Sequence, residues 1–296
     1  MWKSFRVLLT ENCNAHCPNC FNKGIRTYSE IALPDIKRIC ELLSQLGVQK
    51  IKIMGGEPTL HTEFASCIKL FQEHFKQIVI FTNAINNNIC LVKPREEDII
   101  DYNFNFISLK SNPEKFLLDK PGYRAFEIQI SSKANIQFII NKLTYLISLF
   151  DGRRIHLFLT CDCTSNIFDD RGNIISKWMK LLQFIYDQPL LEWHLDHMLP
   201  KCFIPEELAG MPQLTSKKCS IECAGLIDAK LNVLFCNQFH DYICSLDEFG
   251  LMDTDQLQEL FLFSLKKKTN RLPVCCSNCS SYEVDCNGGC FMHNYS

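Results

Sequence analysis

Three cysteines near the start of the chain have the residue type and the spacing of a metal-binding loop. Cys13, Cys17 and Cys20 are separated by three and then by two residues, and they follow the apolar run from Phe5 to Leu9. Four cysteines are the usual protein ligands of a [4Fe–4S] cluster. Three on one loop therefore predict a cluster with one iron open to a cofactor or a substrate. A three-ligand zinc site and three incidental thiols are the alternatives.

A glycine-rich turn follows the second predicted strand, residues 50–54. It reads Gly55-Gly56-Glu57-Pro58. Two glycines let the backbone pass close to a ligand, and the Glu57 carboxylate places a hydrogen-bond acceptor at the strand end. Alone, such a turn carries little information. Its place one strand–helix unit after the cysteine loop gives it weight.

The loop and the turn together resemble the radical S-adenosylmethionine (SAM) superfamily. The resemblance implies that the three cysteines hold a [4Fe–4S] cluster, that SAM chelates the open iron, and that residues 55–58 bind the ammonium group of SAM. It further implies reductive cleavage of SAM to a 5′-deoxyadenosyl radical, which abstracts hydrogen from an unactivated carbon. One departure is Asn19, which stands where the family often has an aromatic residue near the adenine; Phe21 is the candidate replacement.

The bulk composition predicts a globular enzyme. Of 296 residues, 47% are hydrophobic, and the formal net charge is −2 without a basic block, which argues against a nucleic-acid partner. The sequence has neither an apolar signal core nor an apolar run of membrane-spanning length. We therefore expect a cytoplasmic protein with no membrane partner.

The cysteine content divides the chain. A reducing compartment does not support a disulfide framework, so the 18 cysteines are interpreted as metal ligands and buried thiols. Ten of them lie from Cys202 onward. This shift predicts a domain boundary near residue 200, between residues 1–200, which by resemblance are a radical SAM partial barrel, and a small cysteine-rich domain over residues 201–296.

The apolar pattern predicts an α/β fold, a partial (β/α)₆ TIM-like barrel. Strands are predicted at 5–9, 50–54, 78–81, 104–109, 126–130 and 155–159, with helices at 33–46, 62–74 and 136–149 and an irregular stretch at 84–102. Ligands of such folds gather at the carboxyl ends of the strands. By resemblance, Thr82, Asn83 and Ser131 are candidate SAM contacts; polar caps of strand ends are the alternative.

The tail resembles the SPASM and twitch extensions of radical SAM enzymes, which carry auxiliary [4Fe–4S] clusters. The resemblance implies one cluster held by four cysteines and three ligands of a second: Cys219, Cys223, Cys236 and Cys290 for the first, and Cys276, Cys279 and Cys286 for the second. Cys275, Cys244, a non-cysteine ligand or a substrate would complete the second. Asn232 stands where the hairpin of the extension usually has glycine. A structural zinc knuckle of Cys276, Cys279, Cys286 and Cys290 is the alternative.

The substrate is inferred from class frequency alone. Enzymes with such extensions mostly modify ribosomally made peptides by crosslinking, epimerisation or oxidation, and this is the expected function, with a flavodoxin or ferredoxin as electron donor. A small sugar or aminoglycoside epimerase or dehydrogenase is one alternative, and an iron–sulfur binding or electron-transfer protein is another. For an epimerase, Cys244 is the candidate thiol that returns a hydrogen atom to the substrate radical.

Overall fold

The computed structural model describes residues 2–17, 20, 22, 27–105, 124–131, 133–150, 154–161, 170–195, 201–204, 206–208, 211, 224–236, 241–269, 276, 278–281 and 286. The strands within these ranges are β1 (Ser4–Leu8), β2 (Lys50–Met54), β3 (Gln77–Thr82), β4 (Ile99–Asn105), β5 (Arg124–Ile130), β6 (Ile155–Cys161), β7 (Leu191–Leu195), β8 (Leu226–Ile227), β9 (Asn232–Leu234) and β10 (Tyr242–Ser245). The α-helices are α1 (Leu33–Gln45), α2 (Phe64–His74), α3 (Ile136–Leu149), α4 (Arg171–Tyr186), α5 (Leu246–Leu251) and α6 (Thr254–Thr269).

The first of two compact units comprises Met1–Arg124 and Ser220–Lys267. Its strands lie in the order β10-β9-β8-β1-β2-β3-β4. β1 pairs in parallel with β2 and with β8, so Val7 lies beside both Ile53 and Ile227. β3 and β4 continue the parallel array. β9 pairs antiparallel with both of its neighbours, β8 and β10. Because β1, β2 and β3 are parallel, the cysteine loop, the glycine turn and Thr82 share one edge of the sheet.

Helices α1 and α2 pack onto this unit through apolar stripes. The buried members are Ile36, Ile39, Cys40 and Leu43 in α1, and Phe64, Cys67, Ile68 and Phe71 in α2. They recur at the spacing of an amphipathic helix, within the two ranges predicted as helices. Gly47 has a φ of +73° just beyond α1, the position at which glycine commonly ends a helix.

The second compact unit comprises Ala125–Cys219 and Lys268–Ser296. Its described strands β5, β6 and β7 are parallel and lie in that order. The mostly parallel α/β character of the prediction is confirmed. β7 was not predicted, although Leu191, Trp193 and Leu195 alternate with polar residues as in a half-buried strand.

The start of β4 corrects one prediction. This strand begins at Ile99, within the stretch expected to be irregular, and residues 106–109 of the predicted strand lie outside the described residues. Asp101 and Asn103 interrupt the apolar pattern, yet both are buried, as are Tyr102 and Phe104 on either side of Asn103. A strand buried on both faces with two polar members gives no clear periodic signal.

The compact units do not follow the predicted boundary between residues 200 and 201. Part of the C-terminal segment belongs to the first unit, since β8 pairs with β1 and Phe261 of α6 packs edge-on against Trp2 at 5.0 Å between ring centroids. The assignment of residues 201–296 as an auxiliary-cluster domain stays a prediction.

The turn between β8 and β9 corrects the expectation for Asn232. The residue with left-handed backbone is Leu231, with a φ of +63°, while Asn232 begins β9. Asp228 closes the turn: its carbonyl oxygen accepts from the Leu231 nitrogen and its carboxylate accepts from the Asn232 nitrogen. A leucine in this conformation carries a steric cost of about 1–2 kcal/mol.

We expect Leu231→Asn to raise the free energy of unfolding by about 0.5–1 kcal/mol, because asparagine tolerates left-handed backbone and leucine does not. Urea unfolding of the apo-protein measures the change. Lys230→Asn is the matched control, since Lys230 is exposed in the same turn and does not have a positive φ. Equal effects of the two substitutions would contradict the strain argument.

Candidate cluster and cofactor site

The three cysteines follow β1 at its carboxyl end, and each is half-exposed. Cys13 Sγ accepts hydrogen bonds from the Ala15 nitrogen at 3.4 Å and from Asn83 Nδ2 at 3.9 Å. Donors aimed at sulfur suit a thiolate ligand of iron. Within the described ranges, no three cysteine, histidine or carboxylate side chains are close enough to one another to hold a metal ion. The donor types, their half-exposure and the N–H groups at Cys13 fit a cluster ligated by this loop.

The glycine turn contacts the chain leading into the cysteine loop. The Gly56 nitrogen donates to Thr10 O at 2.7 Å, and the Glu57 nitrogen donates to Asn12 O at 2.6 Å. A Cβ atom on Gly56 would lie 2.3 Å from Asn12 O, and one on Gly55 would lie 2.8 Å from Thr10 O. The glycines therefore let the backbone of residues 10–12 approach, in addition to whatever room they leave for a ligand.

Glu57 joins the ends of β2 and β3. Its side chain is 1% exposed. Oε1 accepts from Thr59 Oγ1 at 2.6 Å and from Thr82 Oγ1 at 2.7 Å, and Oε2 accepts from the Asn83 nitrogen at 2.7 Å. Burial raises the pKa of the Glu57 carboxyl, although these hydrogen bonds oppose the shift. Pro58 is buried in the single turn of 3₁₀-helix that follows.

Asn83 connects β3 to the cysteine loop. Its Nδ2 donates to Asn14 Oδ1 at 2.8 Å as well as to Cys13 Sγ, and its Oδ1 accepts from the Ile85 nitrogen at 3.0 Å. The structure thus brings Cys13, Glu57, Thr82 and Asn83 into one network. Contacts of these residues with SAM stay a prediction, and so does a SAM contact of Ser131, which lies buried just after β5 in the second unit.

The predicted auxiliary ligands are only partly described. Cys219, Cys223, Cys275 and Cys290 lie outside the described residues, and Cys236 is half-exposed beyond β9. Cys276 and Cys286 are buried, while Cys279 is exposed and its nitrogen donates to Cys276 O at 3.1 Å. The Lys201 nitrogen donates to Cys286 Sγ at 3.3 Å. Ligation of a cluster by these residues stays a prediction.

Cys244 lies on β10 opposite Val233 and is 2% exposed. Burial raises the pKa of its thiol to about 11, so the group keeps its proton at neutral pH. An S–H group is the form that a hydrogen-atom donor needs, but this side chain is enclosed by the core of its unit. The donor role stays a prediction.

Several residues that hold the site together were not predicted. Thr10, Glu11, Asn12 and Glu30 bind the two ends of the cysteine loop to each other and to the glycine turn. Asn14 carries the contact to Asn83. These are common polar residues without a diagnostic spacing; the one signal was their position on either side of the three cysteines.

A family profile described as the radical SAM superfamily matches residues 7–112, the stretch that contains the cysteine loop, the glycine turn and Asn83. Residues 7–112 are therefore a radical SAM domain. The cofactors of its radical SAM domain are a [4Fe–4S] cluster and SAM, as predicted.

Solved radical SAM structures share the fold. SuiB from Streptococcus suis, bound to S-adenosylmethionine, has a TM-score of 0.66 at 15% identity and covers 98% of this chain and 73% of its own. The protein anSMEcpe with bound AdoMet and a Cp18Cys peptide has a TM-score of 0.63 at 12% identity, covering 97% and 88%. At such identities the likeness shows the fold alone, and it confirms the predicted partial barrel class.

The curated relatives that match by sequence are named GTP 3′,8-cyclase or probable GTP 3′,8-cyclase. A probable GTP 3′,8-cyclase of Methanothermobacter marburgensis is 33% identical over 119 residues, which are 40% of this chain and 39% of that protein. Another from Methanococcus maripaludis is 27% identical over 213 residues, which are 70% of this chain and 66% of that protein. The matched region thus spans about two fifths to two thirds of the relatives' length.

These names correct the predicted function. The expectation of ribosomal peptide modification came from class frequency, whereas the relatives matched by sequence are named for a reaction of GTP. The peptide prediction is therefore wrong. SuiB has also been solved with its precursor peptide SuiA, at a TM-score of 0.56 and 15% identity. This similarity shows the fold alone.

No helix within the described ranges is long and apolar enough to cross a membrane.

Proposed function

We propose that this chain cleaves SAM reductively at a cluster held by Cys13, Cys17 and Cys20 and begins a radical rearrangement of a purine nucleotide. The observation that carries the proposal is the docked cysteine loop, in which Cys13 Sγ receives two N–H donors and residues 10–12 are bonded to the glycine turn. The nucleotide class rests on the relatives named GTP 3′,8-cyclase.

A [4Fe–4S] cluster held by Cys13, Cys17 and Cys20 would supply the electron for reductive cleavage of SAM. This chain's own residues hold the ligands in place. Asn83 orients Cys13 through its side-chain amide, and Glu57 fixes Asn83 by accepting from its backbone nitrogen. Such outer partners orient ligands and tune a metal site. A flavodoxin or ferredoxin is the proposed electron donor.

The tail cysteines form the second part of the proposal. We propose that Cys219, Cys223, Cys236, Cys276, Cys279, Cys286 and Cys290 ligate auxiliary iron–sulfur clusters. Two observations support this: the Lys201 nitrogen donates to Cys286 Sγ, and the Cys279 nitrogen donates to Cys276 O in a turn that joins these two cysteines. Eight or more irons per chain after anaerobic reconstitution are expected; about four irons with zinc in the tail would point to the zinc knuckle instead.

The test is the formation of 5′-deoxyadenosine by anaerobically reconstituted protein with dithionite, SAM and a panel of GTP, ATP and guanosine. We expect the parent to form deoxyadenosine, and Cys13→Ala to lose about four irons and all activity. Cys90→Ala is the matched control, because Cys90 is an exposed cysteine of the same unit, and it should behave as the parent does.

Substrate class is measured with ribose-deuterated nucleotides. Transfer of deuterium from one of them into deoxyadenosine would support a nucleotide substrate. Deoxyadenosine that forms at the same rate with and without every nucleotide, and without deuterium, would overturn that class. A parent that is fully loaded with iron yet never cleaves SAM would overturn the proposal as a whole.

A further inference from the structure

Glu30 lies at the far end of the cysteine loop and accepts hydrogen bonds from two other segments. Its Oε1 accepts from Asn12 Nδ2 at 2.9 Å and from Thr10 Oγ1 at 3.3 Å. Its Oε2 accepts from Thr62 Oγ1 at 2.9 Å and from the Thr62 nitrogen at 3.3 Å. One carboxylate thus links the chain entering the loop with the chain that follows the glycine turn.

The backbone closes the base of the loop at the same place. The Glu11 nitrogen donates to Ser29 O at 2.9 Å, and the Ile31 nitrogen donates to Leu9 O at 3.0 Å. The buried His61, whose Nδ1 accepts from the Glu63 nitrogen, donates through Nε2 to Ile31 O at 2.8 Å. The residues on either side of the cysteine loop, 9–11 and 29–31, are therefore held together by backbone hydrogen bonds.

Glu30 is one of two carboxylates in this closure; the other, Glu11, accepts from Thr27 Oγ1 at 2.5 Å. The hydrogen-bond partners of Glu30 are the neutral Thr10, Asn12 and Thr62, and hydrogen bonds to a charged group are stronger than neutral ones. Partial burial alone would raise the pKa of the Glu30 carboxyl, but the hydrogen bonds from Thr62 and Asn12 outweigh it and lower the pKa. The group is thus a carboxylate that fixes polar partners in place.

Thr10 shows what depends on this carboxylate. It is fully buried, its hydroxyl donates to Glu30, and the same hydroxyl oxygen accepts from the Asn12 nitrogen at 3.1 Å. Thr10 O and Asn12 O are also the acceptors for the glycine turn. Movement of residues 10–12 would therefore displace Cys13, the next residue, relative to Asn83.

We propose that Glu30 is the positioning residue of the cluster loop, holding residues 10–12 and Thr62 together so that Cys13 faces Asn83. This inference rests on the proposed function, because it concerns the same cluster site. Glu30 acts through Thr10 and Asn12 and is not itself a ligand. Outer partners of metal ligands typically affect metal affinity or activity by 10- to 100-fold.

The test compares Glu30→Ala and Glu30→Gln with Glu41→Gln, which removes an exposed carboxylate from α1. Three quantities are measured on the reconstituted full chain: the rate of iron loss to a chelator, the SAM concentration that half-converts the electron paramagnetic resonance signal of the reduced cluster, and the urea midpoint of the apo-protein.

For Glu30→Ala we expect iron loss to be about ten-fold faster and the half-converting SAM concentration to be about ten-fold higher, with an apo-protein midpoint close to that of the parent. Glu30→Gln should recover part of the effect, because one carbonyl oxygen still accepts from one side. Asn12→Ala, which cuts only the loop side, should change the iron loss in the same direction.

Two results would overturn the inference. One is iron loss and SAM response in Glu30→Ala equal to those of Glu41→Gln. The other is a fall of the apo-protein midpoint large enough for iron loss to follow the unfolded fraction, which would make Glu30 a general stabiliser. A parent that retains its iron but forms no deoxyadenosine refutes the proposed function and leaves this comparison valid. A parent that loads no iron at the loop refutes both.

Discussion

Gly56→Ala is expected to prevent stable loading of the cluster at Cys13, Cys17 and Cys20 and to abolish SAM cleavage. The added Cβ would lie 2.3 Å from Asn12 O and 2.5 Å from Glu11 O, both backbone atoms. A side chain cannot swing away to relieve this overlap, so residues 10–12 must move and the hydrogen bonds from the Gly56 and Glu57 nitrogens are lost. Overpacking and lost hydrogen bonds together amount to about 3 kcal/mol.

Iron per chain and deoxyadenosine per cluster measure this effect. Gly55→Ala should be milder, since its Cβ would lie 2.8 Å from Thr10 O and 3.2 Å from the Pro58 nitrogen. Gly172→Ala is the control, because a Cβ there meets nothing within 4 Å. Parent levels of iron and deoxyadenosine in Gly56→Ala would show that the close approach is not needed.

Gly225→Ala is expected to lower the free energy of unfolding by about 3 kcal/mol or more. Gly225 has a φ of +102°, and its Cβ would lie 2.3 Å from Cε2 of the buried Phe5 ring. The left-handed backbone costs an alanine about 1–2 kcal/mol, and overpacking adds about 1–3 kcal/mol. The Arg6 nitrogen donates to Gly225 O at 3.1 Å, so displacement of Gly225 also disturbs β1.

A double mutant separates the two causes. Phe5→Leu removes the clashing ring atoms, so the cost of Gly225→Ala should fall in that background by the overpacking part and keep the backbone part. Urea unfolding of the four proteins of the cycle measures this coupling. Gly172→Ala, in the first turn of α4, should stabilise slightly, by less than about 1 kcal/mol. Additivity of the Phe5 and Gly225 substitutions would contradict the proposed clash.

The elements nearest the chemistry were predictable because their signals are local. Cysteine spacing, a glycine turn after an apolar strand and the apolar periodicity of α1 and α2 are all contained within short windows. The carboxyl-edge position of Thr82 and Asn83 followed from parallel strand order. The network that joins Glu57, Asn83 and Cys13 agrees with that expectation, although the roles of the glycines toward the protein itself were not foreseen.

What escaped prediction depends on contacts between distant positions. The role of Glu30 depends on its hydrogen bond from Thr62, which is 32 residues away in the chain. Leu231 has left-handed backbone although leucine disfavours it, and its nitrogen donates to Asp228 O. The start of β4 was missed because its buried Asp101 and Asn103 interrupt the apolar pattern, whereas β7 was missed although its five residues alternate. The substrate class was misjudged for another reason: class frequency reflects how often a fold is used and contains no information about this chain's own residues.

The position of β1 in its sheet has a consequence for how the protein matures in the cell. β1 comes from the beginning of the chain, and one of its two neighbours, β8, is translated only after β2 to β7, since Arg6 pairs with Leu226. A nascent chain therefore presents the three cysteines while one edge of β1 is still unpaired, and open strand edges invite aggregation. Pairings between distant segments form slowly. The strand that leads into the cysteine loop is thus paired on both edges only after residues 226–227 have been made.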